Sequence, residues 1–202
     1  MIVPRMPTPR LTDAVVIGGS AGASVPLRTL LTGLTPAFPA AILVVMHMHP
    51  DDGGLLAENL GQVLRLPVVE ALDKMPVKRG RVHLAPADYH LLAERDGKLA
   101  LSVDERVWWS RPSIDVTFQS AAAVWGRRLM AILLSGANED GAAGLAEVQR
   151  RGGLALCQDP ATATMPTMPA AGIKAAGLRG GESPEALSRR LMHLESEKPD
   201  AR

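Results

Sequence analysis

Three short, uninterrupted apolar runs constrain the fold of this chain more than any other feature. They are Ala14–Ile17, Ala41–Met46 and Leu129–Leu134. A continuous apolar run of this length is typical of a strand that is buried on both faces. Each run ends abruptly at a small or polar residue. We therefore expect strands of a mostly parallel sheet, with helices on both of its faces.

Helical and extended segments alternate with these runs along most of the chain. Apolar spacing and capping residues predict helices at 25–32, 55–64, 113–124, 141–151, 170–176 and from 183 onwards, and further strands at 67–70 and 153–157. In the middle of the chain, turn residues that include Asp96-Gly97 separate short segments at 81–85, 89–93 and 99–103, which favours an antiparallel excursion. The predicted fold class is α/β, a doubly wound and mostly parallel sheet with an antiparallel hairpin.

The bulk composition predicts one soluble domain. We expect it to cover residues 13–195, between a disordered lead-in at 1–12 and a disordered tail at 196–202. Of the 202 residues, 47% are hydrophobic but only 3% aromatic, and the net charge of +1 does not favour a nucleic-acid partner. Cys157 is the single cysteine, and neither a signal peptide nor a run long enough to cross a bilayer is evident. These features favour the cytoplasm.

Residues suited to catalysis follow each of the three apolar runs, where the chemistry of parallel sheets is usually placed. Residues 18–22 read Gly-Gly-Ser-Ala-Gly and match the G-x-S-x-G elbow, whose tight turn exposes a nucleophilic Ser20. His47 follows the second run and can accept the Ser20 proton if the two strands are neighbours. Asp140 follows the third run and can fix the tautomer of an imidazole. The pattern indicates a hydrolytic triad of Ser20, His47 and Asp140.

Each of these residues also has a simpler interpretation. The glycine-rich loop fits a structural turn, whereas a dinucleotide-binding fingerprint is broken at Ser20 and Ala23. His47 fits a buried core histidine, and Asp140 fits a helix N-cap worth about 1 kcal/mol. The three residues occur along the chain in the order serine, histidine, aspartate, whereas α/β-hydrolases have serine, acid, histidine. The order therefore argues against that superfamily.

A metal-dependent hydrolase is a further alternative for the same segment. His47, His49 and Asp51 begin like a dinuclear metal-hydrolase motif, but Asp52 stands where that motif has a histidine. The remaining histidines do not follow predicted strands, and a metal would leave Ser20 without a role. We therefore expect no metal.

Four ordered segments resemble the catalytic domain of the CheB protein-glutamate methylesterases. They are residues 15–22, 46–50, 111–116 and 134–144, and the likeness extends from about Ala14 to Gly177. The resemblance implies a doubly wound fold without a cofactor, in which Ser20 attacks an ester, His47 acts as base and then acid, and Asp140 orients His47. The implied substrates are methyl-esterified glutamates on cytoplasmic helices of chemoreceptors, with deamidation of certain glutamines as a second activity.

Further residues have candidate roles beside the triad. The backbone N–H groups of Ala21 and Ala137 are our candidates for an oxyanion hole. Trp108, Trp109 and Arg111 are candidates for a rim that recognises a receptor helix, with packing of the hairpin as the alternative.

The chain also departs from the family in two ways. The family's elbow commonly reads G-A-S-x-G-G, whereas Gly19 and Ala23 stand here. A methyl group at residue 23 could crowd the loop, which would suit a receptor-binding relative without turnover. Many relatives carry an N-terminal receiver domain, for which this chain has no room, so we expect constitutive activity or control by a separate regulatory protein.

Overall fold

The computed structural model describes residues 12–48 and 54–196. Within these ranges the strands are β1 (Ala14–Gly19), β2 (Ala41–Met46), β3 (Val68–Glu70), β4 (Val82–Leu84), β5 (His90–Ala93), β6 (Leu99–Ser102), β7 (Leu129–Leu133) and β8 (Leu154–Cys157). The α-helices are α1 (Ser24–Leu31), α2 (Leu55–Val63), α3 (Ile114–Trp125), α4 (Ala142–Arg150), α5 (Thr167–Ala175) and α6 (Pro184–Ser196).

Six of the strands form one parallel sheet in the order β3-β4-β2-β1-β7-β8. β1 is therefore flanked by β2 on one side and β7 on the other. The register pairs Gly19 with Met46 and Gly18 with Leu133, so the three strands end at the same level. Because parallel strands point the same way, the loops that follow β1, β2 and β7 meet at one edge of the sheet.

The sheet is covered on both faces because successive strand side chains point in opposite directions. Val15 and Ile17 lie in one buried cluster with Leu27 of α1, together with residues of α2 and α6. Val16 lies in a second cluster with Phe118 of α3, together with residues of α4 and α5. All six residues of β1 are buried, as its unbroken apolar sequence predicts. The predicted doubly wound α/β class is confirmed.

The middle of the chain was predicted only in part. β5 and β6 do form an antiparallel hairpin across the turn that contains Asp96 and Gly97. The segment at 81–85 was wrongly assigned to that excursion, since β4 pairs in parallel with β2 and β3 in the main sheet. The three residues of β4 are fully buried between these two neighbours, a partnership that short-range turn signals do not reveal.

Apart from residues 12 and 196, the predicted tails at 1–12 and 196–202 lie outside the described residues. No helix within the described parts of the chain is long and apolar enough to cross a bilayer.

Candidate active site

Ser20 is held in a tight turn between β1 and α1. Its backbone N–H donates to Ser135 O at 2.9 Å, and its carbonyl accepts from Ala23 N at 3.0 Å. Gly22 completes the turn with φ of +79°, and a Cβ there would lie 2.5 Å from Thr164 Cβ and 2.8 Å from Ser135 Oγ. Only glycine meets both requirements without strain. The turn therefore fixes Ser20 at the carboxyl edge of the sheet, where it is partly exposed.

His47 lies next to this turn because β2 is the neighbour of β1. The backbone N–H of His47 donates to Gly19 O at 3.1 Å, which continues the strand pairing by one residue. Its ring Nε2 lies 2.7 Å from Asp140 Oδ2, and only 11% of its side chain is exposed. Ser20 and His47 both line an open cleft of about 470 Å³. The sheet register thus brings the two predicted residues to one cavity.

Asp140 is a fully buried carboxylate surrounded by hydrogen-bond donors. Oδ2 accepts from His47 Nε2 and from Ile114 N, both at 2.7 Å. Oδ1 accepts from Ser113 Oγ at 2.9 Å and from Asp115 N at 3.0 Å. Burial alone would raise the pKa of Asp140, but the hydrogen bonds from His47, Asp115 and Ile114 outweigh it and hold the pKa below its ordinary value. Asp140 is therefore a charged partner for His47.

Ser113 and His90 support this arrangement from behind. Ser113 was predicted only as the N-cap of α3, and its Oγ does accept from Val116 N at 3.4 Å. The same hydroxyl donates to Asp140, a role that local sequence does not reveal. His90 is buried, accepts from Ser113 N through Nδ1 at 3.1 Å, and approaches Glu105 O through Nε2 at 3.0 Å. These partners favour the tautomer with the proton on Nε2.

The loop after β7 is fixed to the serine turn on its other side. Ser135 Oγ donates to Ala21 O at 2.8 Å, and Gly136 N donates to Met165 O at 3.1 Å. A Cβ on Gly136 would lie 2.5 Å from the Met168 side chain, so the loop passes close to α5. Ala137 follows as an exposed residue. The chain therefore presents Ala21 and Ala137, the two oxyanion-hole candidates, on the two loops that Ser135 links.

Comparisons with known proteins place this chain in one family. The family model described as CheB methylesterase matches residues 15–191. The chain belongs to the CheB methylesterase family. A putative protein-glutamate methylesterase/protein-glutamine glutaminase of Leptospira interrogans is 41% identical over 163 residues, which are 81% of this chain and 84% of that protein. The expected class of hydrolase is confirmed at the level of the family.

Two further relatives extend the comparison. A protein-glutamate methylesterase/protein-glutamine glutaminase of Symbiobacterium thermophilum is 37% identical over 155 residues, which are 77% of this chain but only 43% of that protein. The crystal structure of the Thermotoga maritima CheB methylesterase catalytic domain matches with a TM-score of 0.85 and 32% identity. That match covers 91% of this chain and 98% of the other, so the fold is that of the catalytic domain.

The structure explains why Gly19 and Ala23 depart together from the family's usual elbow. A Cβ built on Gly19 would lie only 2.6 Å from Ala23 Cβ, and Ala23 is fully buried in the core beneath α1. The two positions therefore share the space for one methyl group. This chain carries that methyl on residue 23, whereas the family's usual pattern carries it on residue 19. The methyl group of Ala23 therefore does not crowd the loop, because Gly19 has no side chain that would occupy the same space.

The three rim candidates have different surroundings. Trp108 and Trp109 form the centre of a turn in which Val107 and Ser110 exchange backbone hydrogen bonds, and both have positive φ, of 52° and 61°. Such a turn normally takes Asn or Gly, and each large residue in this conformation costs about 1–2 kcal/mol. Trp109 is 92% exposed, so packing of the hairpin does not explain it.

Arg111 is held within the protein and does not project from the rim. Its Nε and one terminal nitrogen donate to Asp88 Oδ1, at 3.2 and 2.9 Å. Its other terminal nitrogen donates to the carbonyls of Val103 and Asp104 at 2.7 and 3.0 Å. The geometry thus assigns Arg111 to bracing the segment that carries the tryptophan turn.

The metal alternative rests on residues of which the structure describes only one. His49 and Asp51 lie outside the described residues, while the Nε2 atom of His47 is occupied by Asp140. Among the residues that are described, no group of three or more His, Cys, Asp or Glu side chains could hold a metal ion. Cys157 is also unsuited to binding a metal as a thiolate, because burial raises the pKa of its thiol to about 12.

Proposed function

We propose that this chain is a serine-type hydrolase that removes methyl groups from glutamate methyl esters of chemoreceptors, with Ser20, His47 and Asp140 as its catalytic triad. The observation that carries the proposal is the buried pair of His47 and Asp140 beside the Ser20 turn. An imidazole fixed by an ionised carboxylate at the edge of a serine-lined cleft is suited to activating a hydroxyl. The family and the names of its relatives support the same chemistry.

The hydrogen bond to Asp140 decides which ring nitrogen of His47 acts on the serine. Asp140 is an acceptor, so Nε2 carries a proton and Nδ1 is left as the basic nitrogen. In the proposed reaction Nδ1 takes the Ser20 proton as Oγ attacks the ester carbonyl. The developing imidazolium is stabilised by the charge on Asp140, which does not itself need to accept the proton.

The remaining steps follow from the ester. The tetrahedral intermediate collapses when imidazolium returns its proton to the methoxy oxygen, and methanol leaves. The glutamyl ester on Ser20 is then attacked by water, which His47 deprotonates, and the free glutamate side chain and Ser20 hydroxyl are restored. With a glutamine substrate, ammonia leaves in place of methanol.

An oxyanion formed at Ser20 needs backbone N–H donors that are not engaged elsewhere. Ser20 N–H and Gly136 N–H already donate to Ser135 O and Met165 O, so neither is available. The next N–H groups along the two loops belong to Ala21 and Ala137, which we propose as the donors. Loss of one such donor typically lowers turnover by about 10²–10³-fold.

We further propose that the substrate is a helical segment of a receptor's cytoplasmic domain, reached from the cytoplasm, and that Trp109 contacts it. A strained turn that holds a large aromatic side chain in solvent has an energetic cost, and contact with a partner protein would account for it. Because Arg111 is engaged with Asp88, this contact is assigned to Trp109 rather than to the arginine.

The direct test is methanol release from a receptor cytoplasmic fragment that carries labelled methyl esters. Ser20→Ala should lower turnover by about 10⁴-fold or more. Ser24→Ala is the matched control, because Ser24 lines the same cleft and should be dispensable. Activity that survives Ser20→Ala, or that a chelator such as EDTA abolishes, would contradict the proposal.

A further inference from the structure

A second buried carboxylate, Asp115, lies directly behind the triad. Only 6% of Asp115 is exposed, and its backbone N–H donates to Asp140 Oδ1 at 3.0 Å. Its side chain accepts from Gly144 N at 2.6 Å. The proposed reaction does not use this side chain. A buried carboxylate beside another one requires an explanation, since each raises the free energy of the other's ionised form.

The two carboxylates cap each other's helices. Asp140 stands just before α4, yet it accepts from Ile114 N and Asp115 N in the first turn of α3. Asp115 stands in α3, yet it accepts from Gly144 N in the first turn of α4. Helix N-termini favour negative charge, so both contacts are electrostatically favourable. The pair forms a reciprocal lock between the two helix ends that meet at the triad.

The N-terminal ends of α3 and α4 are tightly packed where this lock forms. A Cβ on Gly144 would lie 2.6 Å from Phe118 Cβ and 3.0 Å from Asp115 O. The two helix ends are therefore in backbone contact, and a shift of α3 moves the N–H groups that hold Asp140. The Trp108 side chain also acts on the Asp115 carboxylate and lowers its pKa, which connects the lock to the tryptophan turn.

We propose that Asp115 is a positioning residue for the hydrolase: it fixes the α3 N-terminus that orients Asp140, and thereby the tautomer and direction of the His47 ring. This inference rests on the proposed function. Burial, followed by the charge of Asp140, keeps the pKa of Asp115 above its ordinary value despite the N–H donors. Ionised Asp115 therefore lowers the stability of the folded state at neutral pH.

The test is Asp115→Asn, with methanol release and thermal unfolding measured on the same preparations. The amide oxygen can still accept from Gly144 N, but its NH₂ group then faces N–H donors. We expect kcat to fall about 10–100-fold, the range typical of groups that orient a metal-binding side chain, with KM within twofold of wild type. The unfavourable contact of the NH₂ group and the removal of a buried charge oppose each other, so Tm should change by only a few degrees. A loss of kcat at a nearly unchanged Tm and KM is not what a merely structural role predicts.

A second variant and a spectroscopic signal complete the experiment. Asp115→Ser should show the same loss of kcat, and the low-field proton resonance of His47 Nε2–H should shift in both variants. Asp104→Asn removes one negative charge from the exposed loop before α3 and should change neither kcat nor the His47 resonance.

Each outcome bears on the inference. An unchanged kcat in either Asp115 variant would overturn it, as would failure of both variants to fold, because the carboxylate would then serve stability. A wild-type protein that releases no methanol would instead refute the proposed function.

Discussion

Replacing Asp140 by Asn tests the role of the buried carboxylate in the proposed triad. The carboxylate accepts four hydrogen bonds, two on each oxygen, from His47, Ile114, Ser113 and Asp115. An asparagine has one NH₂ group, which must replace one of these acceptors. At the Oδ2 position it faces Ile114 N–H, and at the Oδ1 position it faces Asp115 N–H. Either orientation leaves a buried backbone donor unpaired, at a cost of about 1–3 kcal/mol.

The catalytic loss should be much larger than the loss of stability. With NH₂ at the Oδ2 position, His47 Nε2 must accept a hydrogen bond, so its proton moves to Nδ1 and the ring can no longer take the Ser20 proton. With NH₂ at the Oδ1 position, the tautomer is kept but the imidazolium loses its counter-charge. The corresponding change in a serine-protease triad lowers kcat about 10⁴-fold, and we expect a similar factor here.

The assay pairs initial rates of methanol release with thermal unfolding. For a domain of this size, the expected cost of about 1–3 kcal/mol lowers Tm by about 2–12 °C, and rates are compared below the measured Tm of the variant. Asp104→Asn serves as the control and should match wild type in both measurements. A folded Asp140→Asn variant whose kcat is within about tenfold of wild type would refute the role of the carboxylate.

Three further predictions concern the elbow, the sheet and the rim. Gly19→Ala should destabilise the fold by about 1–3 kcal/mol because its methyl overlaps Ala23 Cβ, and adding Ala23→Gly should recover most of that loss in denaturant unfolding. Burial lowers the pKa of His83 below 6.5, so the unfolded chain binds the proton more tightly and the free energy of unfolding should fall as pH drops through this value. His83→Gln should therefore lose less thermal stability than wild type between about pH 8 and about pH 5.5. Trp109→Ala should raise KM for the methylated receptor fragment several-fold, by about 1 kcal/mol or more, and leave kcat unchanged.

Each of these has a result that would count against it. Additive effects of the two elbow substitutions would show that residues 19 and 23 do not share one methyl site. An equal acid response of wild type and His83→Gln would remove His83 as the cause. A lower kcat with unchanged KM in Trp109→Ala would place that residue in the chemistry and not in recognition.

Much of the fold follows from local sequence because the strands of the parallel sheet are buried on both faces. The unbroken apolar runs of β1, β2 and β7 predict both the strands and the edge where Ser20, His47 and Asp140 are placed. β4 was assigned to the wrong sheet because a three-residue strand such as Val82-His83-Leu84 looks the same beside a parallel or an antiparallel partner. Only the register with β2 distinguishes the two cases.

The surroundings of the triad could not be predicted in the same way. Ser113 looks like an ordinary N-cap, and its second hydrogen bond reaches an acceptor 27 residues away. Asp115 looks like a favourable first-turn acid, and its contact with Gly144 depends on how α3 and α4 meet. Gly19 and Ala23 look like two separate departures in the sequence, but a Cβ on Gly19 would lie 2.6 Å from Ala23 Cβ, so only one of the two positions has room for a methyl group.

Covalent labelling of the nucleophile tests the central claim most directly. A fluorophosphonate reacts with a serine hydroxyl only when a neighbouring base activates it, and the adduct is located by mass spectrometry of peptides. We predict one adduct on wild-type protein, with fragment ions that place it on Ser20 rather than on Ser24, and none on a folded His47→Ala variant. An adduct on another residue, or labelling of Ser20 that persists without His47, would contradict the account.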